Sequence, residues 1–181
     1  MKKLIITIIF GLGFLCINAQ TAEVTSIQRL AGPRVGVTFL MPGTSADFVN
    51  EGFDSDWDGS SGLATIAQYG WQFETRFAEG GDIMGIVEWV ILTGGMEQGL
   101  FLPSFSSLVG LRTFKGYEFA IGPNLSLSGM GMVFTTGYNF RSGDLNLPVN
   151  IAFVPGKNGS WGGDDPTGAR VSIMIGFNFG K

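Results

Sequence analysis

The chain has 181 residues, of which 45% are hydrophobic and 14% charged, with 29 glycines, one cysteine, no histidine and a net charge of −4. The acidic balance disfavours a nucleic-acid partner, and Cys16 as the sole cysteine, with no histidine beside it, leaves no thiol or imidazole metal chemistry. The glycines sit among aromatics without a collagen period, so neither a triple helix nor disorder fits.

Lys2 and Lys3 precede an apolar run over residues 4–17, followed by Asn18-Ala19-Gln20. Basic, greasy, then small is the form of a secretory signal peptide, with cleavage expected after Ala19. The run is too short for a stable membrane helix. Its loss removes Cys16, Lys2 and Lys3, takes the net charge from −4 to −6, and leaves about 160 residues for one domain. No later segment is a continuous membrane-helix run, so the apolar content must be spread over strands.

Residues 20–33 read as a periplasmic lead-in to a domain spanning 34–181. Strand one is expected over 34–40, with Val35, Val37 and Phe39 on one face. A long polar loop, 41–63, follows. In it Asp54-Ser55-Asp56-Trp57-Asp58-Gly59 has the D-x-D-x-D-G spacing of a calcium loop, in which carboxylates two residues apart converge on one hard cation. The twelfth position is Thr65 where the full motif has a bidentate Glu, so Asp54, Asp56 and Asp58 imply at most weak calcium binding. The alternative is a solvated acidic loop. Strand two is expected over 64–77, with Tyr69, Trp71, Phe73 and Phe77 on the bulky face and Gln68, Gln72, Glu74 and Arg76 on the other. After a turn at 78–82, strand three covers 83–92, with Trp89 and Ile91 on one side. Glu88 faces the other, where Ile86, Val90 and Leu92 share its parity.

Strand four is expected over 104–113, after a second long loop, 93–103. A three-residue turn, Phe114-Lys115-Gly116, sets Arg112 opposite Glu118 with both inward. A two-residue turn would push Arg112 into lipid at up to a few kcal/mol. Residues 117–127 and 130–140 form a hairpin of period-two alternation. The turn Ser128-Gly129 is expected to set Leu127 against Met130 and Tyr117 against Phe140. A turn at 141–144 leads to strand seven, 145–153, whose inward Pro148 cannot donate to a ladder and predicts a bulge or a missing bond nearby. Loop four is 154–168 and strand eight 169–179.

Small residues on one face and bulky ones on the other decide which side is inside. A closed barrel of about eight strands has an interior that side chains just fill. Dozens of Phe, Leu, Ile and Met would overfill it, so the bulky face points out, toward lipid. The fold class expected is therefore all-β: an eight-stranded antiparallel up-and-down transmembrane β-barrel. Short turns at one end and longer loops at the other match the periplasmic and extracellular sides of bacterial barrels.

The alternating G-Y-E-F-A-I-G-P-N-L-S-L, the S-G-D-L-N-L-P-V-N-I-A-F-V segment and the terminal R-V-S-I-M-I-G-F-N-F carry a resemblance. Over about residues 34–179 the chain resembles the small eight-stranded outer-membrane barrels of Gram-negative bacteria, the OmpA-like and OmpX-like class. The last segment resembles the C-terminal strand signal of that class, except that Gly180-Lys181 follows the final aromatic, Phe179. The resemblance implies location in the cell outer membrane, outer-membrane lipid around a monomer, and a function among anchors, adhesins, small channels and a few lipid enzymes.

The enzymes of that class resemble one another in needing a histidine base, and this chain has none. No catalytic residues are therefore assigned, although Glu74, Glu88 and Glu118 leave a carboxylate-only site conceivable. A porin-sized channel needs about sixteen strands. The inward charges Arg34, Glu74, Arg76, Glu88, Arg112, Glu118 and Arg170 are expected to form a lumen ion network that plugs the barrel. That leaves a structural or surface-interaction role, carried by the extracellular loops toward an unknown extracellular ligand or protein. A narrow channel for small solutes is the alternative. Trp57 and Trp161 are candidate contact residues in those loops, unless they fold onto the rim at the bilayer interface. Apart from calcium, no cofactor is implied.

Overall fold

The computed structural model describes residues 31–51, 62–142, 145–159 and 164–179. The segment expected to be a signal peptide, 1–19, most of the expected lead-in, and Asp54, Asp56, Asp58, Trp57 and Trp161 lie outside these residues.

Eight antiparallel strands follow one another around a closed barrel. They are β1 (Gly32–Leu40), β2 (Ala64–Gly80), β3 (Ile83–Gly94), β4 (Leu102–Thr113), β5 (Tyr117–Ser126), β6 (Gly129–Ser142), β7 (Leu145–Val154) and β8 (Arg170–Gly176). Each pairs with its sequence neighbours, and β8 pairs with β1 to shut the ring. A short β9 (Asn178–Phe179) continues β8 in the same register, since Val149 faces Ile175 and Asn146 faces Asn178. The gap between the two ladders lies beside Pro148, whose nitrogen has no hydrogen to give. Pro148 keeps its place opposite Asn139 on its other side.

Alternation sets the faces. On β5 Glu118, Ala120, Gly122 and Asn124 are buried, while Tyr117, Phe119, Ile121 and Leu125 are exposed. The same holds on β2, where Gln68, Gln72 and Glu74 point in and Tyr69, Trp71 and Phe73 point out. On β3 the inward parity carries Ile86 as well as Glu88, both fully buried. The inner glycines let neighbouring strands approach. A Cβ on Gly122 would collide with the carbonyl oxygen of Ser107.

The turns divide into two ends. At one end Gly81-Asp82, the connection at 143–144 and Phe114-Lys115-Gly116 join strands closely. Gly116 adopts φ 98°, and its N–H donates to Thr113 O at 2.9 Å, so Arg112 stands opposite Glu118. At the other end lie the connections 41–63, 95–101 and 155–169, together with the tight Leu127-Ser128 turn.

Several expectations are corrected. In the β5–β6 hairpin, Leu125 faces Met130 and Tyr117 faces Tyr138. The turn residues are Leu127 and Ser128, and Gly129 takes the positive φ of 104° as the first paired residue of β6. The slide by two leaves every side chain on its expected face, because the side-chain period is two. β2 runs on to Gly80, because a bulge between Arg76 and Ala78 absorbs one residue and lets Ala78–Gly80 keep pairing with β3. β1 and β4 each begin two residues earlier than expected.

The polar loop after β1 also contains an unexpected helix, α1 (Thr44–Glu51). Asp47 in its first turn suits the helix dipole. Its Ala46 and Val49 are buried in a cluster with Leu40, Ala64 and Ile66, flanked by Leu100 and Leu102. The connection at 95–101 is docked on β2 by Glu97, whose carboxylate accepts the Ala67 N–H at 2.7 Å. The connection 155–169 meets the chain near α1 through Thr44 N–H to Pro166 O at 3.0 Å.

Candidate functional site in the barrel lumen

The inner polar residues concentrate near the short-turn end, around Arg112. Its Nη1 and Nη2 donate to the two oxygens of Glu74 at 2.7 and 2.5 Å. Nε donates to Glu118 Oε2 at 2.7 Å, and Nη2 also contacts that oxygen. The fork geometry of guanidinium matches a carboxylate in this bidentate way. Glu88 Oε1 lies 3.6 Å from Nη2. Glu74, Glu88, Glu118 and Arg112 are each at most 4% exposed.

Neutral amides extend the network. Gln72 donates to Glu88 and accepts from Arg34 Nε at 2.9 Å. Arg34 Nη1 reaches Asn178 Oδ1 at 3.2 Å. Asn150 Nδ2 donates to the second oxygen of Glu118 at 2.9 Å. Arg76 stands at the edge, 3.6 Å from Glu74 and 3.8 Å from Glu79. Arg34 has room only because Gly176 has no side chain: a Cβ there would overlap the guanidinium. Below, Asn139 donates to the fully buried Asn146 at 3.1 Å.

The oxygens of Glu74, Glu88 and Glu118 lie within 4.8 Å of one another, a spacing that can hold a metal ion. Arg112 already engages all three carboxylates, so the donor set is matched to a guanidinium. A cation there would have to displace it.

Of the seven charges expected to share one network, Arg34, Glu74, Arg76, Glu88, Arg112 and Glu118 are brought together, Arg34 through Gln72. Arg170 is not among them. It begins β8 at the long-loop end, where its Nη1 and Nη2 donate to Ser126 at 3.0 Å and Asn124 at 3.1 Å. Parity places a residue on the inner face but not at a height within the lumen. The amides Gln72, Asn150 and Asn178 were not singled out, although inward polar parity was a signal for each.

Between the network and Arg170 lies a cavity of about 400 Å3, within the range of small-molecule sites. Arg34, Gln72 and Glu88 line its lower part, and Phe48 and Val49 of α1 line its upper part. One wall is apolar: Leu108 and Val133 are buried together, with Val90, Ala152 and Val154 against them. The facing wall is polar and internally bonded. Thr38 donates to Gln68 at 2.5 Å and lies 2.6 Å from the Ser172 hydroxyl.

Neither a family model nor a curated protein matches this chain.

Proposed function

We propose that the chain is a monomeric outer-membrane β-barrel, shut at its short-turn end by the Arg112 network, with a structural or surface-contact role carried by the long connections. The carrying observation is the inversion of its faces. Buried charged and amide side chains crowd the interior at the short-turn end, while Phe119, Ile121, Phe134, Phe153 and their neighbours are exposed around the ring. Soluble monomers rarely expose apolar patches beyond a few hundred Å2. The dimensions agree: the ten residues of β5, at about 3.3 Å each and a tilt of about 40°, span about 25 Å, the height of a barrel's apolar band. Near the short-turn end Tyr117, Tyr138 and Phe140 pack edge to face, with centroids 4.9 and 4.7 Å apart, as members of an interfacial aromatic girdle.

A second reading, a narrow channel for small solutes, draws on the cavity above the network and requires the network to part. Planar-bilayer recordings separate the two. The intact protein is expected to show no large steady conductance, and Glu118→Ala, which removes two of the contacts to Arg112, to introduce openings. Large steady conductance in the intact protein, unchanged by Glu118→Ala, would overturn the closed reading.

A further inference from the structure

Among the described residues the three carboxylates at the bottom of the cavity, Glu74, Glu88 and Glu118, are matched by three guanidiniums, Arg34, Arg76 and Arg112, whereas Arg170 at its top has no carboxylate partner. Among the described residues Arg170 donates to the neutral groups of Ser126 and Asn124 alone. Among the described residues no carboxylate lies within ion-pair distance of it, including Asp165, which lines the same cavity. A guanidinium has five N–H donors in a fork suited to a carboxylate, and two atoms of this one are engaged. Below Arg170 the inner face of β8 continues through Ser172 and Met174, while Val154 and Ala152 stand beside it on β7. Arg170 and Gly176 face Leu40 and Arg34, six residues apart on β1, or about 20 Å along the strand.

We propose that this cavity binds a small amphipathic monocarboxylate. Its carboxylate is held by Arg170, and its apolar body lies along the Leu108–Val133–Ala152 wall. At the floor Arg34 is engaged by Gln72 and Asn178 and shares Gln72 with Glu88, so a carboxylate placed there would meet a buried like charge beside the guanidinium, which it would not at Arg170. In the facing wall the Thr38 hydroxyl is already engaged by Gln68 and Ser172, so the apolar body lies against the other side. The proposal goes beyond the membrane reading and requires only the closed barrel with its filled floor.

The test is calorimetric titration of octanoate into the folded protein in phospholipid nanodiscs, against empty nanodiscs, with octanol as the neutral probe of equal body. Should the barrel remain soluble without lipid, the same titration is run in buffer, so that failure of the membrane reading does not decide the result. Saturable binding of octanoate is expected. Loss of the charge-assisted contact in Arg170→Gln should weaken it about tenfold or more. Octanol should bind the unmodified protein and Arg170→Gln alike. Val133→Trp and Leu108→Trp, each filling the cavity from a different strand, should abolish binding in whichever variant retains heat-modifiable gel migration. Absence of saturable octanoate binding by the folded unmodified protein would overturn the proposal. So would equal affinity in Arg170→Gln, which indicates partition into lipid.

Discussion

Replacing Arg112 with methionine is expected to be the most damaging single change in the lumen, lowering the stability of the barrel by about 3–5 kcal/mol. The loss comes from what remains. Glu74, Glu88 and Glu118 are each at most 3% exposed and their oxygens crowd within 4.8 Å, so without the guanidinium three carboxylates face one another away from bulk water. Methionine keeps most of the volume, which isolates the charge. Urea titration of the protein in lipid vesicles, followed by tryptophan fluorescence, measures the effect. The triple variant Arg112→Met/Glu74→Gln/Glu118→Gln should recover most of it, because exchanging a buried ion cluster for neutral groups is far cheaper than removing one partner. A single variant within about 1 kcal/mol of the unmodified protein would show that water, not Arg112, satisfies the carboxylates.

The second large effect tests the outer face. Ile121 lies midway along β5, between Val109 and Phe134 on the adjacent strands, and is 45% exposed. Ile121→Arg should cost about 2–4 kcal/mol in vesicles, the penalty for arginine at the bilayer midplane. Phe101, on the connection before β4, is more exposed still, and Phe101→Arg should cost about 1 kcal/mol or less, as near an interface. In water, an exposed residue at either place would shift stability by only about 0.5 kcal/mol. Equal and small effects at both positions would therefore remove the lipid-facing reading, whatever the state of the lumen.

The strand faces were legible because alternation is a local property. Glu118 and Ile121 declare their sides within five residues. The length of the 114–116 turn was legible for a different reason: only one choice kept Arg112 away from the outer face. No such penalty distinguished the two registers of the β5–β6 hairpin, since sliding it by two residues leaves Tyr117, Phe119 and Ile121 where they were. The helix Thr44–Glu51 escaped notice because its burial depends on Leu40, Ala64 and Ile66, which lie on other elements. Arg170 shows the same limit in the site. Its inward direction followed from parity, but its separation from Arg112 follows from the stagger of strands around the ring. The cavity is further still from the sequence, since a void is a difference between packed volumes.

The hydrogen bonds and ion pairs of the floor run from Arg34 on β1 to Gln72 on β2, Glu88 on β3, Arg112 on β4, Glu118 on β5 and Asn150 on β7, and from Arg34 back to Asn178 on β9. They act as a hoop acts on staves. The β4–β5 hairpin supplies the Arg112–Glu118 pair by itself, but Glu74, Asn150 and Asn178 arrive on more distant staves, so an unclosed sheet holds only part of the network. Only when the last stave is seated does Arg34 meet Asn178 across the join, beside the break that Pro148 leaves in the ladder. The hoop thus makes half-built cylinders poor resting places and ties the first and last strands of the chain into a single all-or-none closure.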